Sequence, residues 1–224
     1  MAVVASGGTV KGVGVGGEAR RLPLVLASTS PWRAALLQQV GWPFEQVAPK
    51  VDEGAWHARG GEPWRLAESL ALEKARSVRP WVGERVVVGS DQVAAVGEEL
   101  LTKPGSQQEV LAQLERLQGR SHVLYTAVAL LAPGGVERTA LVRTALVMRA
   151  WSREALEAYA AQELAIGCVG GYRLEGRGVA LFASVEGPDP SAVVGLPLMA
   201  LAGILHELGW PVFDPRGPAQ ALAP

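Results

Sequence analysis

The residues with chemistry in them begin at Ser28-Thr-Ser30-Pro31-Trp32-Arg33, which follow the apolar run Leu24-Val-Leu-Ala27. A strand feeding a helix start gathers free backbone N–H groups and the positive end of the helix dipole, a combination that suits an anion. Ser28 and Ser30 add hydroxyl groups, and Arg33 adds a planar fork for a phosphate. A cation in a first helical turn is otherwise unfavourable, so Arg33 wants an anionic partner; the alternative is an ordinary strand–turn–helix with a surface arginine. The second such stretch is Arg85-Val-Val-Val-Gly89-Ser90-Asp91-Gln92-Val93. Its β-branched run reads as a buried strand with Ser90, Asp91 and Gln92 at the C-terminal end, where open α/β sheets bind ligands. A carboxylate there needs a metal or a donor, which sets a functional reading of Asp91 against a turn-capping one. Val51-Asp52-Glu53-Gly54 reads as a loop whose two carboxylates are either solvated or placed to ligate a metal or activate water. Lys74 follows Leu66 and Leu70 at four-residue spacing, so it either snorkels beside an apolar stripe or aims an ammonium into a cleft. Lys103 stands in a turn just before a helix, a position from which it can meet a phosphate.

The elements that must position these groups are legible from periodicity and caps. Ser30 and Pro31 open a first helix whose apolar face is Ala34, Ala35, Leu36, Leu37 and Val40. Phe44–Val47 reads as a short strand, and Glu62 to Val78 as a helix with Leu66, Ala67, Leu70, Ala71, Ala75 and Val78 on one face. Ser106-Gln-Gln-Glu109 has the form of a capping box, and the helix it opens stops at Gly119. Ser121–Leu131 and Val136–Arg149 form an antiparallel hairpin through Ala132-Pro-Gly-Gly135. Ser152 caps a helix through Ala161, and Gly195-Leu-Pro197 opens the last one, with Leu201, Ile204, Leu205 and Leu208 inward. Glu175 lies among glycines, on a rim or aimed inward.

The 224 residues suffice for one sizeable core, as a single α/β domain or as two lobes around a cleft. A net charge of −1 offers no footprint for long nucleic acid or an acidic membrane. The single cysteine, Cys168, excludes an internal disulfide and reads as a small core residue. His57, His122 and His206 have no ligand spacing and read as structural. No apolar run reaches membrane-spanning length, so the expectation is a soluble cytoplasmic protein. Residues 1–21 read as a Gly/Val-rich flexible extension or a stray edge strand, 22–213 as the domain and 214–224 as a frayed tail. Gly12-x-Gly14-x-x-Gly17 matches a dinucleotide fingerprint by chance, since neither a strand before it nor a helix after it is evident.

From Leu22 to Gly209 the chain resembles the Maf family of nucleotide pyrophosphatases. The resemblance is carried by Ala27-Ser-Thr-Ser-Pro-Trp-Arg33, Val51-Asp-Glu53, Leu72-Glu-Lys74-Ala75, Gly89-Ser-Asp-Gln92, Thr102-Lys-Pro104, Tyr125-Thr126, Glu175-Gly-Arg-Gly178 and Val194-Gly-Leu-Pro197. It implies a mixed α/β sheet of Maf/ITPase-like type in two lobes with a central nucleotide cleft, often as a homodimer. It also implies hydrolysis of a nucleoside triphosphate to the monophosphate and pyrophosphate with a divalent cation, magnesium or manganese. Asp91 matches the position of the proton acceptor for water, while Ser28, Arg33, Glu53, Lys74 and Lys103 match residues around the phosphates and metal, with Glu53 and Asp91 as the metal's carboxylates. Members that cleave dTTP and UTP typically carry Arg, Thr and Gln where this chain has Trp32, Gln92 and Glu175; the set seen here matches members acting on 7-methyl-GTP. An indole face suits a cationic purine, and a carboxylate accepts from the guanine N1–H and N2–H₂ edge. The alternatives are a dTTP/UTP or broad-specificity pyrophosphatase and, from another class, a non-catalytic nucleotide sensor in cell-division control.

Overall fold

The computed structural model describes residues 4–6, 22–97, 99–163 and 165–213. Eight strands form one mixed sheet: β1 (Val4–Ser6), β2 (Leu24–Ala27), β3 (Phe44–Val47), β4 (Val87–Val96), β5 (Glu99–Leu101), β6 (Ser121–Ala132), β7 (Val136–Met148) and β8 (Phe182–Glu186). The order is β1-β7-β6-β4-β2-β3, with β5 beside β4 and β8 beside β7. β3, β2 and β4 run parallel, joined by helical crossovers, whereas β4, β6 and β7 are antiparallel. Six helices accompany them among the described residues: α1 (Pro31–Gln39), α2 (Glu53–Ala58), α3 (Pro63–Val78), α4 (Gln107–Leu117), α5 (Arg153–Gln162) and α6 (Leu198–Glu207).

The period-2 alternation of strand side chains divides the core by face. Leu24 and Leu26 of β2, Val88 of β4 and Leu130 of β6 pack with Leu37 of α1 and Leu201 and Leu205 of α6. Val25, Ala27, Val87 and Leu131 turn the other way, onto Ala75 and Val78 of α3. The long strands β4, β6 and β7 then continue past this region. At their far end Ala94, Leu124 and Leu146 return to the first face and bury Leu114 of α4 and Leu156 of α5. Between the two apolar clusters, β4 presents Ser90 and Gln92 on that face. Two polar residues at inward positions leave a seam where neither apolar cluster continues, and Gln92 in that seam lines a cleft.

Several sequence readings change in the folded chain. Asp91 is not at the end of its strand: β4 runs on to Val96 because the antiparallel ladder with β6 continues through Ala95. Val51–Gly54 is not simply a loop. Asp52 caps α2, its Oδ1 accepting from Ala55 N at 2.9 Å, and Glu53 is the first helical residue. Ala35 and Val40 are exposed, since α1 buries only Ala34, Leu36 and Leu37. Val4–Ser6 does form an edge strand, antiparallel to β7. The Gly12–Gly17 match and the tail from Asp214 lie outside the described residues.

Candidate active site

The site exists because of a break in one ladder of the sheet. The parallel pairing of β2 with β4 ends at Ala27 opposite Gly89, and β5 takes up the same edge only from Ala94. Among the described residues no strand therefore pairs with residues 90–93 of β4 on that side, and a cavity of about 680 Å³ opens there. Its walls carry Ser28, Trp32, Arg33, Glu53, Lys74, Asp91, Gln92, Lys103 and Glu175, so the residues singled out by the resemblance share one space, whereas Asp52 does not line it.

At its deep end lies a chain of alternating charges. Lys74 Nζ, almost wholly buried, sits 2.5 Å from Asp91 Oδ1 and 2.6 Å from Glu53 Oε1. Lys103 Nζ, at the solvent edge, adds a 3.3 Å contact to Glu53 Oε2. Lys74 reaches Asp91 because α3 lies hard against β4 at Gly89, where a Cβ would come within 2.9 Å of Ala75 N. Only a residue without a side chain lets helix and strand approach so closely. Burial pushes the Glu53 carboxyl up, but the ammonium groups of Lys74 and Lys103 outweigh it and hold Glu53 at about 2.

Arg33 is the third cation at this end. Its Nε donates to Gly195 O at 2.7 Å and its Nη1 to Ser28 Oγ at 3.2 Å; Ser28 Oγ also accepts from Ser30 N at 3.1 Å. Burial pulls the Arg33 guanidinium down from its ordinary value, opposed by the carboxylates of Asp91 and Glu53. Gly195 has φ 115°, a conformation open chiefly to glycine, and it turns its carbonyl toward both Arg33 and Ser90 Oγ, the latter at 2.9 Å. Gln92 holds the same segment: its Nε2 lies 2.8 Å from Ala192 O, 3.2 Å from Val193 O and 3.0 Å from Thr126 Oγ1. The amide nitrogen of Gln92 is thus committed to backbone carbonyls of the Pro190–Val194 turn, which buried Asp189 anchors by accepting from Ser191 N, Met199 N and Ala200 N.

At the shallow end stand Trp32 and Glu175, joined by a residue that the sequence reading passed over. The Arg173 guanidinium carbon lies 3.8 Å from the centroid of the Trp32 ring, and Arg173 Nε lies 3.2 Å from Glu175 Oε1. Its Nη1 donates to Glu163 Oε1 at 2.8 Å. The only sequence signal was a planar cation two residues before Glu175; nothing linear connects either to Trp32. His57 and Cys168, read as structural, also line the cavity. His57 Nδ1 is buried without a hydrogen-bond partner among the described residues, and Cys168 is half-buried rather than core, its thiol pushed up by burial. His122 is structural as expected: it is buried, 2.7 Å from Tyr172 Oη, and packed against Tyr172 and Phe182.

The donor set at the deep end fits a divalent cation. Glu53 and Asp91 converge on a single positive charge, and magnesium characteristically takes one or two carboxylates and completes its coordination with water and substrate phosphates. Among the described residues no group of three or more His, Cys, Asp or Glu is placed to hold a metal ion by itself. No described helix is long and apolar enough to cross a membrane.

Known proteins resemble this chain over most of its length. The family model described as "Maf-like protein" matches residues 23–208. A 7-methyl-GTP pyrophosphatase of Xanthomonas campestris pv. campestris (strain 8004) is 43% identical over 188 residues, covering 84% of this chain and 96% of that protein. A 7-methyl-GTP pyrophosphatase of Polaromonas sp. is 40% identical over 196 residues, 87% of this chain and 89% of that protein. One of Ralstonia nicotianae is 40% identical over 194 residues, 86% and 99% respectively.

Proposed function

This chain belongs to the Maf family, and from that premise we propose that it hydrolyses 7-methyl-GTP to 7-methyl-GMP and diphosphate with the help of a magnesium or manganese ion. The observation that carries the reading is the polarity of the cleft. A planar cation already rests on Trp32 with an N–H group toward Glu175, and the other end holds three cations around two carboxylates. N7-methylated guanine is itself a planar, delocalised cation with N–H donors on its edge, and it can make both shallow-end contacts. The relatives named above carry that substrate in their names.

The residues divide the work as follows. Arg33, Lys74, Lys103 and the start of α1 neutralise charge on the triphosphate, which must spread over both fragments as the α–β anhydride breaks. Asp91 accepts the proton of the attacking water, held in place by Lys74. Glu53 and Asp91 hold the divalent cation, which when bound supplies further charge neutralisation at the phosphates. Gln92 and Asp189 keep the Pro190–Val194 turn in register, and through Gly195 they fix the Arg33 guanidinium.

A substrate panel tests the proposal. Pyrophosphate release is measured from 7-methyl-GTP, GTP, UTP and dTTP, with and without magnesium or manganese. The expected result is cation-dependent release that is fastest from the methylated nucleotide, lowered by about 100-fold or more in Asp91→Asn with the fold retained. Preference for UTP or dTTP refutes the substrate, and tight nucleotide binding with no release makes the protein a sensor.

A further inference from the structure

The subsite assigned to the base is already filled by the chain itself. Arg173 lies flat on Trp32 at 3.8 Å and reaches Glu175 at 3.2 Å, engaging both residues on which base recognition rests. It is not a side chain that has wandered there. Its Nη1 is fixed to Glu163 Oε1 at 2.8 Å, and Glu163 is itself buried and accepts from Arg177 N at 3.0 Å. Its own backbone N–H donates to Tyr159 Oη at 3.1 Å. Beside Glu163 the chain carries Gly176, where a Cβ would lie 2.7 Å from the carboxylate, so the loop is shaped to let this pair form. The guanidinium is chemically what the proposed base is: planar, delocalised, positive and edged with N–H donors.

From this we infer that Arg173 is an internal occupant of the base subsite, and that a purine must lift its guanidinium off Trp32 in order to stack. The inference rests on the purine-binding reading of this cleft. Two cations on one indole, sharing one carboxylate, repel each other, so occupant and methylated base exclude one another. Glu163 keeps Arg173 tethered while it is displaced, which makes the exchange reversible and local. The equilibrium between occupied and open forms is a property of the protein alone. It therefore weakens binding of every purine nucleotide by the same factor, the fraction of molecules in the open form, and leaves the ratio between two purines untouched. Arg173 sets the KM; Trp32 and Glu175 set the choice of base.

The test uses Arg173→Lys, which keeps a positive charge beside Glu163 but removes the flat stacking surface. KM for 7-methyl-GTP and for GTP should both fall, by a common factor between about 2 and 30, the span that loss of one cation–π contact corresponds to. Their ratio and kcat should not move. A direct readout comes from the Arg173 Nε–H resonance, assigned by its loss in Arg173→Lys and shifted by the indole ring current in the free protein. Saturating 7-methyl-GMP should return it toward the position of an unstacked arginine. A KM that rises or stays level in the variant, or a resonance unmoved in the saturated complex, overturns the inference. A wild-type protein that shows no preference for 7-methyl-GTP over GTP refutes the substrate proposed above, while the common KM factor and the resonance still decide the role of Arg173.

Discussion

Replacing Lys74 by Met removes the charge at the centre of the deep cluster while keeping a flexible chain of similar length. Lys74 and Asp91 have side-chain exposures of 3% and 5%, so the Asp91 carboxylate would lose its ammonium where little water reaches to replace it. Breaking a buried pair by removing one partner costs about 3–5 kcal/mol. Glu53 adds less: its side chain is 38% exposed, and its contact with Lys74 belongs on the surface scale of at most about 1 kcal/mol. With a urea slope of about 2 kcal/mol/M, the unfolding midpoint of Lys74→Met should fall by about 1.5–2.5 M at neutral pH. The loss should shrink in acid, because protonating one of the two carboxylates now relieves their repulsion. Wild-type Glu53 sets the boundary of that comparison. Its folded value of about 2 lies below the ordinary 4.5, so its contribution is complete above 4.5 and disappears only as pH falls toward 2. Urea titrations of both proteins at neutral pH and at about pH 5 thus compare the variant with an intact reference. A midpoint change below about 0.5 M, or a gap of equal size at the two pH values, would refute the claim that a buried ion pair holds this end of the cleft. Manganese at saturating concentration should narrow the gap, since a divalent ion can take the place of the ammonium between Glu53 and Asp91.

Gly89→Ala should lower stability by about 1–3 kcal/mol in a chemical melt and depress kcat, because the new methyl pushes α3 and Lys74 off β4; unchanged stability would show that the contact gives way. His122 is held down to about 4 by burial, below the ordinary 6.5, so the folded form refuses a proton that the unfolded form takes. The protein should lose up to about 3 kcal/mol of stability as pH falls from 6.5 toward 4, and His122→Gln should flatten that slope, which unfolding midpoints across the interval will read. Trp32→Ala should raise KM for 7-methyl-GTP more than for GTP, by a factor of up to about 30; equal effects would remove the indole from recognition of the methyl cation.

What the sequence made legible was local. Ser30 and Pro31 start α1, with Ser30 Oγ accepting from Arg33 N, and Ser106 starts α4 by accepting from Glu109 N, because capping is decided within four residues. The apolar face of α3 was equally plain, since its period is its own. What stayed hidden depends on partners distant in the chain. Asp91 looked like a strand end, and it is one only with respect to β2; the antiparallel partner β6 extends the strand around it. The carboxylates of Asp52 and Glu53 looked equivalent until a helix began between them and gave one to the backbone and one to the cleft. Arg173 carried no periodic or motif signal, and its contact with Trp32 spans most of the domain. The eight motifs could be recognised in order, but not the way in which one guanidinium links two of them.

The seam in the sheet also constrains how the cleft can move. β4, β6 and β7 pass unbroken beneath both apolar clusters, and the β4–β6 ladder stays paired through residues 90–93 on the side away from the gap. The two apolar clusters therefore share a continuous backplate and cannot slide past each other or swing on a loose linker. Their mouth can widen only as far as paired strands bend, so the aperture is nearly fixed in advance, and the adjustable parts left to greet a nucleotide are side chains on its rim.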